Sequence, residues 1–117
     1  ILAALGGLEI ATLAGLVLGG ARNRQVVCVD GFISTAAFCA AQAMCPTVAE
    51  YCVISHASAE PGHAKAVEKL GLDPLLHLGF RLGEGTGAAC AMFLLRGACD
   101  MFNDMATFSQ AGVSSGS

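Results

Sequence analysis

Gln25-Val26-Val27-Cys28-Val29-Asp30-Gly31-Phe32-Ile33-Ser34-Thr35-Ala36-Ala37-Phe38 contains the change of hydrophobic period that decides the fold class. Gln25 to Val29 is a short run rich in β-branched residues, the composition of a buried strand. Phe32 to Met44 is an Ala-rich helix pattern stopped by Pro46, and Asp30-Gly31 joins the two without a linker. The pattern then repeats. Tyr51 to Ile54 predicts a second strand, and the polar stretch Ser55 to His63 opens a helix. That helix carries Ala64, Val67 and Leu70 on one face and Lys65, Glu68 and Lys69 on the other, with Gly71 as its stop. Upstream, Leu8, Ala11, Thr12, Gly15 and Leu16 recur at helical spacing, and Gly19-Gly20 is expected to end that helix before a polar turn at Arg22-Asn23-Arg24. Downstream, Leu72 to Phe80 is short and apolar, interrupted by Pro74. A glycine-rich turn, Arg81 to Gly87, then leads into a long helix to about Met105, with Arg96, Asp100, Asn103 and Asp104 as its polar stripe. Strand and helix alternate over short connections, so the expected class is α/β with a parallel sheet. Two or three strands are too few for a complete doubly wound sheet.

Composition narrows the function classes. The chain has 117 residues, enough for one domain, with formal charge −3, 13% charged and 55% hydrophobic residues. Disordered chains have the opposite balance. Six scattered Lys and Arg residues give no basic patch for phosphate neutralisation, so a nucleic-acid partner is not expected. Residues 1–21 and 25–49 are apolar enough to suggest a membrane hairpin, but Glu9 and Asp30 interrupt them and no aromatic belt flanks them. Burial in an α/β core gives the same composition, and no membrane association is expected. No basic n-region marks a signal peptide. The six cysteines form no C-x-x-C pair and no zinc spacing, so they are expected to be reduced core residues in a cytoplasmic protein, with no metal site and no cofactor. The opening Ile1 and the missing strands suggest a piece of a longer chain.

In parallel α/β proteins ligands gather beyond the carboxyl ends of the strands. Three segments fall there: Asp30-Gly31, Ser55 to His63, and Leu82 to Gly87. Asp30 is either an N-cap of the helix it precedes or part of a ligand site, with Gly31 allowing close approach to the helix start. Ser58 is similarly either an N-cap, with Pro61 in the first turn, or a phosphate ligand. His56 and His63 are expected to be loop histidines. Gly83-Glu84-Gly85-Thr86-Gly87 has no lysine and is not a nucleotide P-loop, but it exposes a carboxylate between two glycines at a helix start.

Five segments carry a resemblance in register: Gly6-Gly7-Leu8-Glu9-Ile10-Ala11, Val29-Asp30-Gly31-Phe32-Ile33-Ser34, Ser55 to His63, Arg81 to Ala88, and Met105-Ala106-Thr107-Phe108. Essentially the whole chain resembles the C-terminal third of the nicotinate-nucleotide–dimethylbenzimidazole phosphoribosyltransferase family. The resemblance implies the C-terminal part of a Rossmann-like three-layer domain over residues 1–105, with 106–117 as a tail. It implies phosphoribosyl transfer from nicotinate mononucleotide to 5,6-dimethylbenzimidazole, giving α-ribazole 5′-phosphate and nicotinate for cobalamin synthesis, in a homodimer. By the same match Glu84 is the catalytic base, Leu82 lines the benzimidazole pocket, and Gly31 and Ser58 hold the 5′-phosphate. Asp30 and Gly83 complete the expected substrate-binding set. The family's upstream phosphate loop and lysine would lie before Ile1, so these 117 residues alone are expected to be inactive. Two other classes stay open from the residues themselves: a non-catalytic module binding phosphate or an aromatic base, and the membrane hairpin.

Overall fold

A computed structural model describes Ala4 and residues 6–113. Helix α1 (Leu8–Arg22) leads to strand β1 (Val27–Val29) and helix α2 (Gly31–Met44). A 3-10 segment (Pro46–Tyr51) and strand β2 (Cys52–Ile54) follow, then helices α3 (Pro61–Leu70) and α4 (Thr86–Asp104). The strands pair in parallel, with Val27 opposite Cys52, Cys28 opposite Val53 and Val29 opposite Ile54. The ladder continues one step, where the Ser55 amide donates to the Val29 carbonyl at 2.9 Å.

The α/β class and the parallel pairing agree with the sequence reading, while several boundaries do not. Both strands are shorter than expected: Gln25 and Val26 precede β1, and Tyr51 belongs to the 3-10 segment. Leu72 to Phe80 supplies a single parallel bridge, Leu76 with His56, rather than a third strand. Proline in that stretch removes one backbone donor. Helix α1 passes through Gly19-Gly20 and stops two residues later. These glycines do not break the helix; at Gly20 a Cβ would lie 2.5 Å from Val27 Cγ2, so the missing side chain lets α1 approach β1. The helix ends where Asn23 Nδ2 donates to the Gly19 carbonyl at 2.8 Å and Arg24 turns left-handed at φ 55°.

The core joins Ala14 and Val17 of α1, Val29 and Ile54 of the strands, and Ala37, Phe38 and Ala41 of α2 to Val48 and Val67. It is built mostly of small residues, and Phe38 is its largest fully buried side chain. Helix α4 contributes nothing to that cluster; only its Gly87 and Ala91 are buried. Its polar stripe is exposed as expected, but so are Met92, Phe93, Met101 and Phe102, the last at 91%. Leu8 and Leu16 of α1 are exposed too, so the two apolar runs are not buried on all sides. The radius of gyration, 17.1 Å, exceeds the roughly 13 Å of a compact domain of similar size. Among the described residues no helix is long and apolar enough to cross a membrane.

Among the described residues the sheet has two strands, in the order β1-β2. Ala106 to Val113 forms an exposed turn in which Gln110 Oε1 accepts from the Thr107 amide at 2.9 Å. Ser114 to Ser117, the end of the expected tail, lie outside the described residues.

Candidate active site

β1 and β2 end side by side, so the residues immediately after them, Asp30-Gly31 and Ser55-His56, emerge together. The segment before α4 closes over the same edge. A cavity of about 650 Å³ lies between, and its walls include Asp30, Gly31, Ser58, Gly83 and Glu84. Five of the six expected site residues thus share one cavity. Leu82 does not line it and is 74% exposed.

Asp30 precedes α2 with extended backbone, but its side chain makes no capping bond to that helix. Its carboxylate turns instead to the start of α4. Oδ1 accepts from the Ala88 amide at 2.8 Å, and Oδ2 accepts from the Gly85 amide at 3.2 Å. Ser55 Oγ and His56 Nδ1 lie 3.4 and 3.5 Å from Oδ1. Asp30 thus holds the N-cap position of α2 without capping it, whereas Ser58 is not at an N-cap position. Glu60 holds that position for α3, and Ser58 Oγ accepts the Glu60 amide at 3.3 Å in a local turn. Neither α2 nor α3 has a side-chain cap, and the first turn of α2, Gly31 to Ile33, lines the cavity with its positive helix end. Gly31 takes φ 70°, and an added Cβ there would meet nothing within 4 Å, so its backbone is approachable from the cavity.

The glutamate sits in an unusual stretch of backbone. Gly83, Glu84 and Gly85 all take left-handed angles, with φ 78°, 56° and 77°. Glycine adopts this region freely; for glutamate it is strained, and such outliers cluster at functional sites. Thr86 fixes the turn from one side, since both its amide, at 3.0 Å, and its hydroxyl donate to the Gly83 carbonyl.

Both histidines depart from the expectation of loop residues. His56 and His63 are each 1% exposed, and His63 lies inside α3. His63 Nε2 donates to the His56 carbonyl at 3.1 Å, and its Nδ1 lies 3.4 Å from Thr35 Oγ1, whose hydrogen goes to the Gly31 carbonyl at 2.7 Å. His56 lines the cavity and packs under Gly87, where a Cβ would fall 1.9 Å from His56 Nδ1. Sequence reasoning missed His56 and Gly87 as site residues. The available signal was the position of His56 directly after a strand and a third glycine at a helix start.

Burial pushes the His63 imidazole below its usual value of about 6.5, aided by the neighbouring His56 and opposed by the bond to the His56 carbonyl and by Asp30. A lowered histidine value means the unfolded chain binds the proton first as pH falls below about 6.5, so the folded state loses stability there. Urea midpoints compared at about pH 7.5 and 5.5 should fall on acidification, and His63→Gln should flatten that slope. Burial raises three thiols: Cys52 is pushed up to about 11, and Cys28 and Cys39 are raised. All six cysteines are free.

A phosphoribosyltransferase family model matches residues 1–113. The chain belongs to this phosphoribosyltransferase family. Among relatives of the family, the nicotinate-nucleotide–dimethylbenzimidazole phosphoribosyltransferase of Solidesulfovibrio magneticus is 67% identical over 116 residues, covering 99% of this chain and 33% of that protein. The Nitratidesulfovibrio vulgaris protein of the same name is 67% identical over 113 residues, covering 97% and 32%. A solved structure of the Thermus thermophilus phosphoribosyltransferase superposes with TM-score 0.90 at 46% identity, covering 98% of this chain and 34% of that one. The chain spans about a third of the length of the curated relatives it matches.

Proposed function

We propose that the protein carrying these residues transfers phosphoribose from nicotinate mononucleotide to 5,6-dimethylbenzimidazole, releasing nicotinate and α-ribazole 5′-phosphate. The observation that carries this reading is the convergence of Gly31, Ser58 and Glu84 on one cavity, in a chain two-thirds identical to transferases of that name.

Each group has a chemical task. The 5′-phosphate sits against the uncapped start of α2, where free amides and the helix dipole favour an anion. Gly31 permits its close approach, and the Ser58 hydroxyl, which accepts the Glu60 amide, keeps its own hydrogen for a phosphate oxygen. Glu84 takes the N–H proton of the benzimidazole. The other ring nitrogen attacks C1′, and the C1′–N bond electrons leave with nicotinate, quenching its pyridinium charge. Attack from the face opposite the leaving group turns a β-nucleotide into an α-product. Apolar side chains on the cavity wall, Phe32 and Ile33 of α2 among them, suit an aromatic base. Leu82 joins them in this reading only when something covers its exposed side chain, and Gly83 contributes the backbone turn. Asp30, placed among the substrate ligands on the sequence, has both oxygens engaged by protein groups.

Residues 1–105 then form the C-terminal portion of a Rossmann-like catalytic domain, with 106–117 a tail, in a cytoplasmic homodimer that feeds cobalamin synthesis. The assay is chromatographic detection of α-ribazole 5′-phosphate from the two substrates with the full-length protein. Product with α configuration supports the reading. Phosphate-ligand binding without product would favour the non-catalytic module instead.

A further inference from the structure

We propose that Asp30 is a positioning residue whose carboxylate, by accepting the amide hydrogens of Gly85 and Ala88, holds Glu84 in its left-handed conformation at the cavity. The part of this concerning catalysis rests on the proposed transfer reaction; the part concerning the backbone does not.

Helix α4 starts without a side-chain cap of its own, because its N-cap is Gly85. The first amides of a helix need acceptors, and here a carboxylate 55 and 58 residues away in sequence supplies two of them. Its charge also offsets the positive end of the 19-residue helix. Asp30 can do this because it is itself fixed. It stands at the end of β1, its side chain is 14% exposed, and Ser55 and His56 flank Oδ1. Glu84 is consequently bracketed: Thr86 holds the Gly83 carbonyl on one side, and Asp30 holds the Gly85 amide on the other. A left-handed glutamate between two glycines has every reason to relax unless both flanks are pinned. The contact of Gly87 with His56 leaves no room for the helix start to slide along the β2 end.

A substrate ligand and a positioning residue differ in what their loss changes. Removal of a ligand raises KM, whereas misplacement of a general base lowers kcat. The test combines amide hydrogen exchange at Gly85 and Ala88 with steady-state kinetics, in the full-length protein and its Asp30→Asn variant. Both amides should be protected in the unaltered protein. Protection should fall by about tenfold or more in Asp30→Asn, because a charged acceptor is lost. The value of kcat should drop about 10²-fold, the cost of misplacing a reacting group by about 1 Å, with KM for nicotinate mononucleotide within about threefold. Unprotected amides in the unaltered protein, protection unchanged in the variant, or protection lost with kcat intact would each overturn the proposal. Should the variant not fold, the exchange of Gly85 and Ala88 in the unaltered protein decides. Should the unaltered protein transfer no phosphoribose, the transfer reading fails while loss of protection in the variant still upholds the clamp.

Discussion

Glu84→Gln in the full-length protein is expected to lower kcat by about 10²–10⁴-fold while leaving the melting curve almost unchanged. The exchange keeps the size and shape of the side chain and removes only its ability to take a proton. General-base catalysis is worth that range of rate. The side chain is exposed on the cavity rim, and substitutions at such positions usually shift stability by no more than about 0.5 kcal/mol. The same residue provides a second check through its backbone. At φ 56°, Glu84→Gly relieves left-handed strain of about 1 kcal/mol, partly offset by the greater freedom of glycine in the unfolded chain. A variant no less stable than the parent yet inactive is the signature of strain kept for function. Turnover in Glu84→Gln within an order of magnitude of the parent would remove Glu84 from the mechanism.

The other large effect is on folding. Phe38 is fully buried in a core otherwise made of Ala, Val and Ile. Its ring is the one bulky group joining α1, α2 and the strands, and small neighbours cannot move in to fill its place. Phe38→Ala should therefore cost about 3–5 kcal/mol, read as a lower denaturant midpoint. Natural domains of this size hold only about 5–15 kcal/mol in total, so the loss removes a large share of the stability. A loss below about 1 kcal/mol would mean that the site collapses or that Phe38 is not the centre of the core.

Much of this was legible before any coordinates. Two β-branched runs, the first followed at once by Asp30 and a helix and the second by a polar loop into a helix, give parallel pairing and one functional edge, because the carboxyl ends of parallel strands must emerge together. The partners of individual polar side chains were less legible. Asp30 has the sequence context of a local cap, yet its oxygens serve a helix more than fifty residues later. Local propensity cannot rank a bond within a turn against one across the fold. The glycines misled for a similar reason. Gly19-Gly20 looks like a stop until the approach of Val27 is known, and Gly87 looks like one glycine among several until His56 is found beneath it. The histidines read as loop residues, and their burial was not legible because it depends on α3 and the 72–80 segment folding over the strand ends.

The isolation of α4 from the core bears on how order is distributed in time. The nine-residue core cluster unites α1, both strands, α2, the 3-10 segment and α3, whereas α4 holds to the rest through its first turns. A helix anchored at one end can come away as a unit while the remainder keeps its structure, which is how sub-global opening divides a protein into cooperative pieces. Glu84 stands at the seam between the two pieces. Thermal loss of the reactive geometry is then a separate and earlier event than melting of the fold. Whatever covers the apolar length of α4 also governs how much of the time the carboxylate is poised.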